Sequence, residues 1–251
     1  MASREEMSRS FGAAASAYEA GRPEYPDEAV EWMLAPLADA GRTPRVADVG
    51  AGTGKLTRAL VELGADAVAI EPDEGMLAEL RRAVAGVDAL VGSAESLPLP
   101  DGSVDGVVLG QAWHWVDPVA ASAEIGRVVR PGGILGLIWN IRDESVPWVA
   151  RLGATMRGSH AEQMLEAGGP VVEAPFGEPE ERRWTWERPV TRAGLLDLVR
   201  SRSYVITAPE EERARIEREL GALCDEIGAV GDATIPLRYV TRAYRAERSA
   251  S

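Results

Sequence analysis

The stretch Asp48-Val49-Gly50-Ala51-Gly52-Thr53-Gly54 constrains the fold more than any other part of this chain. It follows the short run Arg45-Val46-Ala47 and precedes Lys55-Leu56-Thr57-Arg58-Ala59-Leu60-Val61, which has the pattern of a helix. A strand, a glycine turn and a helix make the opening of a nucleotide-type binding site. Glycine lets the backbone turn sharply and approach a ligand with no Cβ in the way. Glu71 ends the next apolar run, Ala67-Val68-Ala69-Ile70, and so brings a carboxylate beside the turn, placed to accept hydrogen bonds from ribose hydroxyls.

The pattern beyond the turn alternates. Strands are predicted over 45–49, 67–71, 87–91, 104–110 and 133–140, with helices over 54–63, 73–84 and 117–129. Such alternation implies an α/β fold: a parallel sheet with helices on both faces, and ligands beyond the carboxyl ends of its strands. Gln111-Ala112-Trp113-His114-Trp115 falls at one of those ends. Before the core, Ala13–Tyr18 has strong helix formers, Gly21–Pro26 breaks them, and Asp27 is placed to cap a helix over Glu28–Leu34. After it, helices are expected over 146–166, 195–202 and 209–227, and strands over 182–189 and 234–244.

The spacing of the glycines separates two cofactors. A dinucleotide fingerprint reads G-x-G-x-x-G, but its third glycine position here is Lys55. The actual pattern, D-x-G-x-G-x-G, resembles the first motif of the class I S-adenosylmethionine-dependent methyltransferases of the type 11-like group. Three further stretches resemble that family in the same order. They are Val87–Pro98, the family's adenine loop; Asp101–Leu109, its fourth strand; and Arg127–Leu135, a helix, a Pro131-Gly132-Gly133 turn and a strand. The match covers Val46 to about Asn140 and is specific to the fold and cofactor, not to a substrate.

The resemblance implies S-adenosyl-L-methionine as cofactor and a Rossmann-like, mixed seven-stranded sheet, mostly parallel with an antiparallel last strand. It implies one domain over 1–251, with an N-terminal helical cap (1–42), a cofactor core (43–140), and lid helices with the last two strands (141–251). In that family the glycine loop packs against the methionine part and the acid after the second strand holds the ribose. Carried over, the cofactor residues are Asp48, Gly50, Ala51, Gly52, Gly54, Glu71, Pro72, Met76, Ser93, Ala94, Glu95 and Gln111. Tyr18-x3-Arg22-Pro23-x-Tyr25-Pro26 resembles an N-terminal signature of the subgroup around trans-aconitate and farnesoic acid methyltransferases, where it closes over cofactor and substrate. Tyr18, Arg22 and Tyr25 are therefore substrate-side candidates, with Arg22 suited to a carboxylate.

Sulfonium methyl transfer needs positioning more than chemistry from the protein. An alcohol or amine acceptor also needs a base, whereas a carboxylate is already ionised near neutral pH. His114 is the base candidate; the alternative is a structural histidine bonded to the sheet edge. In an extended stretch Trp113 and Trp115 point one way and His114 the other. Trp113, Trp115 and Trp139 are candidates to wall a substrate pocket, and Asn140 to orient a polar group, although core packing explains Trp139 equally well.

Bulk properties exclude other classes. The chain of 251 residues has net charge −13, which disfavours a nucleic-acid partner. No apolar run is long enough to span a membrane, and Met1–Ser10 lacks a signal-peptide core. Cys224 is the single cysteine and His114 and His160 the only histidines, so no disulfide or clustered metal site is expected, and a cytoplasmic setting fits. The expected activity is methyl transfer to a small-molecule oxygen, a carboxylate or a hydroxyl. The alternatives are an NAD-dependent oxidoreductase, or a protein of the same fold that binds the cofactor without methylating.

Overall fold

A computed structural model describes residues 23–155, 160–200, 205 and 208–249. Its strands are β1 Arg45–Val49, β2 Asp66–Glu71, β3 Asp88–Val91, β4 Val104–Gly110, β5 Val129–Arg142, β6 Glu180–Val190 and β7 Ile235–Glu247. They form one seven-stranded sheet of order β3-β2-β1-β4-β5-β7-β6. β1 to β5 pair in parallel, and β7 runs antiparallel to both of its neighbours, β5 and β6. The mixed sheet is the one expected.

The helices are α1 Asp27–Leu34, α2 Lys55–Glu62, α3 Glu74–Ala83, α4 Pro118–Val128, α5 Pro147–Thr155, α6 His160–Glu166, α7 Arg192–Arg200 and α8 Glu210–Glu226. Alternation along β5 shows how both faces are covered. Leu135, Leu137 and Trp139 pack with Ala121 and Ile125 of α4 and Leu165 of α6. Ile134 and Ile138 pack on the other face with Met33 of α1 and Leu60 of α2. A third apolar cluster joins α5, α7 and α8 to the ends of β6 and β7 through Leu152, Leu195, Leu220 and Leu237. Cys224 is buried within it.

Local chemistry moved several boundaries. Pro26, not Asp27, stands at the α1 N-cap, and no side chain caps that end. Proline holds the non-helical backbone itself, its carbonyl accepts from Ala29 N–H at 2.9 Å, and Asp27 becomes the first helical residue, beside the positive end of the dipole. Ala29, Val30, Met33 and Leu34 of α1 pack into the core cluster on one face of the sheet. β5 begins at Val129, upstream of the Pro131-Gly132-Gly133 turn, because the chain bulges against β4 between Val104 and Gly106 before pairing regularly. Residues 146–166 hold two helices, α5 and α6, instead of one. Trp113–Trp115 is a 3-10 turn, so the expected in-and-out alternation of Trp113, His114 and Trp115 does not occur.

Candidate active site

The site is built on backbone turns at the carboxyl edge of β1. Gly50, Gly52 and Gly54 all have positive φ (69°, 56° and 93°). A Cβ on Gly50 would stand 2.8 Å from the Cβ of Ala112, and one on Gly54 would stand 2.9 Å from Leu80. At Gly50 and Gly54 the turn is closed to side chains by dihedral angle and by space, and at Gly52 by dihedral angle alone. Its N–H groups are engaged: Gly50 and Ala51 donate to the Ile70 carbonyl (2.8 and 3.1 Å), and Gly52 donates to Glu71 Oε2 (2.9 Å).

Two buried carboxylates flank this turn. Asp48 is fully buried and accepts from the Thr57 hydroxyl at 2.6 Å through Oδ2, while Oδ1 has no protein partner. Burial is the main cause that pushes its carboxyl up to about 7; the charge of Glu71 adds to this and the Thr57 hydroxyl opposes it. Glu71 is also raised by burial, against the pull of the Gly52 and Asp73 N–H groups on its two oxygens. A buried carboxylate oxygen with no donor is costly and invites a cation. Glu71 retains lone pairs for further donors, since each oxygen accepts only one bond from the backbone.

The cleft at Asp48 is lined by Pro23, Tyr25, Gly50, Gly52, Lys55 and Gln111, among others, and Glu71 is joined to that lining through its bond from Gly52 N–H. Gln111 is the one non-glycine residue at positive φ (56°) among those described. Strain of this kind at a strand end, facing a cleft, marks a place where position outweighs local comfort. Asp73 caps α3 by accepting from Met76 N–H at 2.9 Å, and the Met76 side chain is buried beside it. Ser93 and Ser96 bridge each other across the loop after β3, with Ala94 buried and Glu95 accepting from Asp117 N–H at 3.0 Å. Pro72 is half-buried between Glu71 and the cap.

The aromatic candidates sit elsewhere. Trp139 is fully buried in the sheet core, edge-on to Tyr244 with ring centroids 5.8 Å apart. Trp113 is buried too, its indole N–H donating to the Val171 carbonyl at 3.0 Å. Trp115 is half-buried and edge-on to His160 (5.4 Å). His114 Nδ1 accepts from the Trp139 indole at 3.4 Å. An indole nitrogen only donates, so the imidazole lone pair on that side is directed into the core. Asn140 has both ends of its amide engaged within the protein, donating to the Glu24 carbonyl (2.9 Å) and accepting from the Thr241 hydroxyl (2.7 Å). Tyr18 and Arg22 lie outside the described residues. Thr57, Glu24 and Thr241 were not singled out from the sequence, and Lys55 only as the residue at the third glycine position. Thr57 had a signal, a hydroxyl one turn before Leu60 on the apolar face of α2; Thr241 had none short of its partner.

A doubly wound sheet whose ligand turn joins a buried acid, three left-handed glycines and a second acid on the adjacent strand defines the class: a nucleoside-cofactor enzyme built around β1 and β2. The comparisons carry this to a family. The methyltransferase-domain family matches residues 47–137. An "uncharacterized methyltransferase" of Mycobacterium tuberculosis is 45% identical over 97% of this chain and 98% of its own length. The malonyl-[acyl-carrier protein] O-methyltransferase of Methylococcus capsulatus is 41% identical over 50% of this chain and 48% of its own. The solved structure of a putative type II methyltransferase from Anaeromyxobacter dehalogenans covers 90% of this chain and 97% of its own, with TM-score 0.67 and 26% identity. The chain belongs to the class I S-adenosylmethionine-dependent methyltransferases, which sets aside the oxidoreductase alternative.

The residues fit the cofactor. Asp48 Oδ1 is an orphaned acceptor of a residue that lines the cleft, and Gly50 and Gly52 line it with bare backbone, where a Cβ on Gly50 would also meet Ala112 at 2.8 Å. No described helix is long and apolar enough to cross a membrane, and no described cluster of His, Cys, Asp and Glu could hold a metal ion.

Proposed function

We propose that this enzyme methylates an oxygen of a small-molecule acceptor, and that the oxygen belongs to a carboxylate. The observation that carries the reading is the orientation of His114. Its acceptor nitrogen is committed to Trp139, and the ionisable groups lining the described cleft are Asp48, Lys55 and Tyr25. A hydroxyl acceptor needs a proton removed, while a carboxylate is already a nucleophile. The relative named for O-methylation of a malonyl group supports the same acceptor chemistry, over half the chain.

In this reading Asp48 receives the amino group of S-adenosylmethionine, Glu71 its ribose, and Gly50, Ala51, Gly52 and Gly54 provide the close approach. Pro72, Met76, Ser93, Ala94, Glu95 and Gln111 complete the cofactor side. When bound, the cofactor supplies an activated methyl group together with its leaving group. The protein orients the acceptor and excludes water. Tyr25, which lines the cleft, is assigned to the acceptor side. The single cysteine and the net charge of −13 support a cytoplasmic reaction on a small molecule rather than on nucleic acid.

The test is an acceptor panel with methyl-labelled cofactor. Transfer to a carboxylate yields an ester, so mild alkali releases the label as methanol. Label that survives alkali marks an ether, amine or carbon product and removes the carboxylate reading.

A further inference from the structure

One set of hydrogen bonds ties the rims of the cofactor cleft to the far side of the sheet. Trp186 on β6 donates its indole N–H to Thr241 Oγ1 on β7 at 2.8 Å. Thr241 donates to Asn140 Oδ1 on β5 at 2.7 Å, and Asn140 Nδ2 donates to the Glu24 carbonyl at 2.9 Å. The Asn140 carbonyl accepts from Gln111 Nε2 at 3.1 Å. Glu24 lies in the segment Pro23–Pro26, whose Pro23 and Tyr25 line one side of the cleft, while Gln111 lines it from the end of β4. Asn140 therefore holds both rims at once, one by its side chain and one by its backbone.

The direction of this chain is set by chemistry. An indole can only donate and a peptide carbonyl can only accept. With its oxygen already accepting from Trp186, the Thr241 hydroxyl is turned to give its proton to Asn140. That fixes the amide orientation, so its NH2 group faces Glu24 and not the reverse. Trp186 is itself held by stacking on Tyr239, with ring centroids 5.0 Å apart. Thr241 is fully buried, so a broken link there is not repaired by water at the surface.

The same segment has a second anchor, the Glu24 carboxylate, which pairs with Lys55 Nζ (2.8 Å) and Arg58 (3.4 Å). That anchor is at the surface, where ion pairs are weak and salt-screened. The buried relay is the stronger hold.

We propose that Trp186, Thr241 and Asn140 are positioning residues that lock the Pro23–Pro26 strap across the cofactor cleft, so that cofactor affinity is set in part from the β5–β7–β6 side of the sheet. The proposal rests on the placement of the cofactor in that cleft, and the experiment separates the two. Binding of S-adenosylhomocysteine is measured by calorimetry on the full chain, alongside the rate at which glutamyl endopeptidase cuts the Glu24–Tyr25 bond. Thr241→Val keeps the volume and deletes the relay. It is expected to weaken binding about tenfold, the size of one lost buried hydrogen bond, and to speed the cut by a similar factor. Thr241→Ser is expected to restore both, and Trp186→Phe, which keeps the ring but not the donor, to fall between. A Thr241→Val protein with ordinary affinity and a protected strap overturns the proposal. So does a Thr241→Ser protein as impaired as the valine variant, because the hydroxyl is then irrelevant. Glu71→Ala serves as the control for placement: if it too leaves affinity unchanged, the cofactor site itself is misplaced.

Discussion

The two halves of the sheet differ in which buried charges they pair: among the described residues Asp48 on β1 has no cation beside it, whereas Arg142 on β5 is paired to Glu162. Around β1 and β2, Asp48 keeps an oxygen without a donor, Glu71 is raised by burial, and the backbone takes left-handed angles at three glycines. Around β5 to β7, side chains pair over long distances in the chain, although Arg142 Nε is buried without a hydrogen-bond partner among the described residues. Thr241 meets Asn140 across 101 positions, and Arg245 donates to the Trp32 carbonyl across 213. Arg142, almost fully buried, is paired to Glu162 at 2.8 Å. The first half carries unmet electrostatic demand, as a ligand site does. The second half spends its side chains on one another and holds the scaffold in register. The difference teaches where to expect loss of binding and where to expect loss of stability.

Gly50→Val is the sharpest way to break that division. A β-branched residue at φ 69° whose Cβ meets Ala112 forces the turn open. Cofactor affinity is expected to fall by at least about a hundredfold, or ~3 kcal/mol, by calorimetry. Retained affinity would mean that the turn is not the cradle. Glu162→Ala tests the other half. It strands a buried guanidinium, and a loss of about 2–3 kcal/mol in denaturant unfolding is expected, moderated by Glu144 nearby. An unchanged midpoint would show that α6 contributes no buried pairing.

Asp48→Asn comes next and has a sign that depends on pH. The folded-state pKa of Asp48 lies near 7, above the value of an unfolded aspartate near 4. Its contribution to stability is fully present below about pH 4 and is lost as the pH rises through about 7. The asparagine variant, without cofactor, is therefore expected to be more stable than the parent at pH 8 by about 2 kcal/mol, with the gain shrinking toward pH 5. Its cofactor affinity is expected to drop at the same time. A variant that is less stable at pH 8 would show that Asp48 is satisfied in the free protein. His114→Ala should do least: less than about a tenfold change in turnover, against a hundredfold or more for a true base. A hundredfold loss would make the acceptor a hydroxyl or an amine.

Sequence reading went furthest where a signal is local. The glycine turn, the acid ending β2 and the strand–helix alternation follow from dihedral limits and periodicity within a few residues, and the sheet carries them as expected. At the tryptophans the signal is weaker, because side-chain identity does not say which way a chain turns. A 3-10 turn at 113–115 replaced the expected alternation, and Trp113 and Trp139 went into the core. Asn140 was noticed for its position at a strand end, but its partners lie on other strands and on the strap.

By itself the sequence determined the class of fold and the glycine turn, and through its family resemblance the cofactor, because the turn depends on short-range backbone sterics and the motif on acids at fixed spacing from glycines. Only the tertiary structure decided which oxygen of Asp48 is left without a donor, where the His114 lone pair points and what Asn140 holds. Those outcomes depend on burial and on hydrogen bonds between residues far apart in the chain, and neither is written in any local pattern.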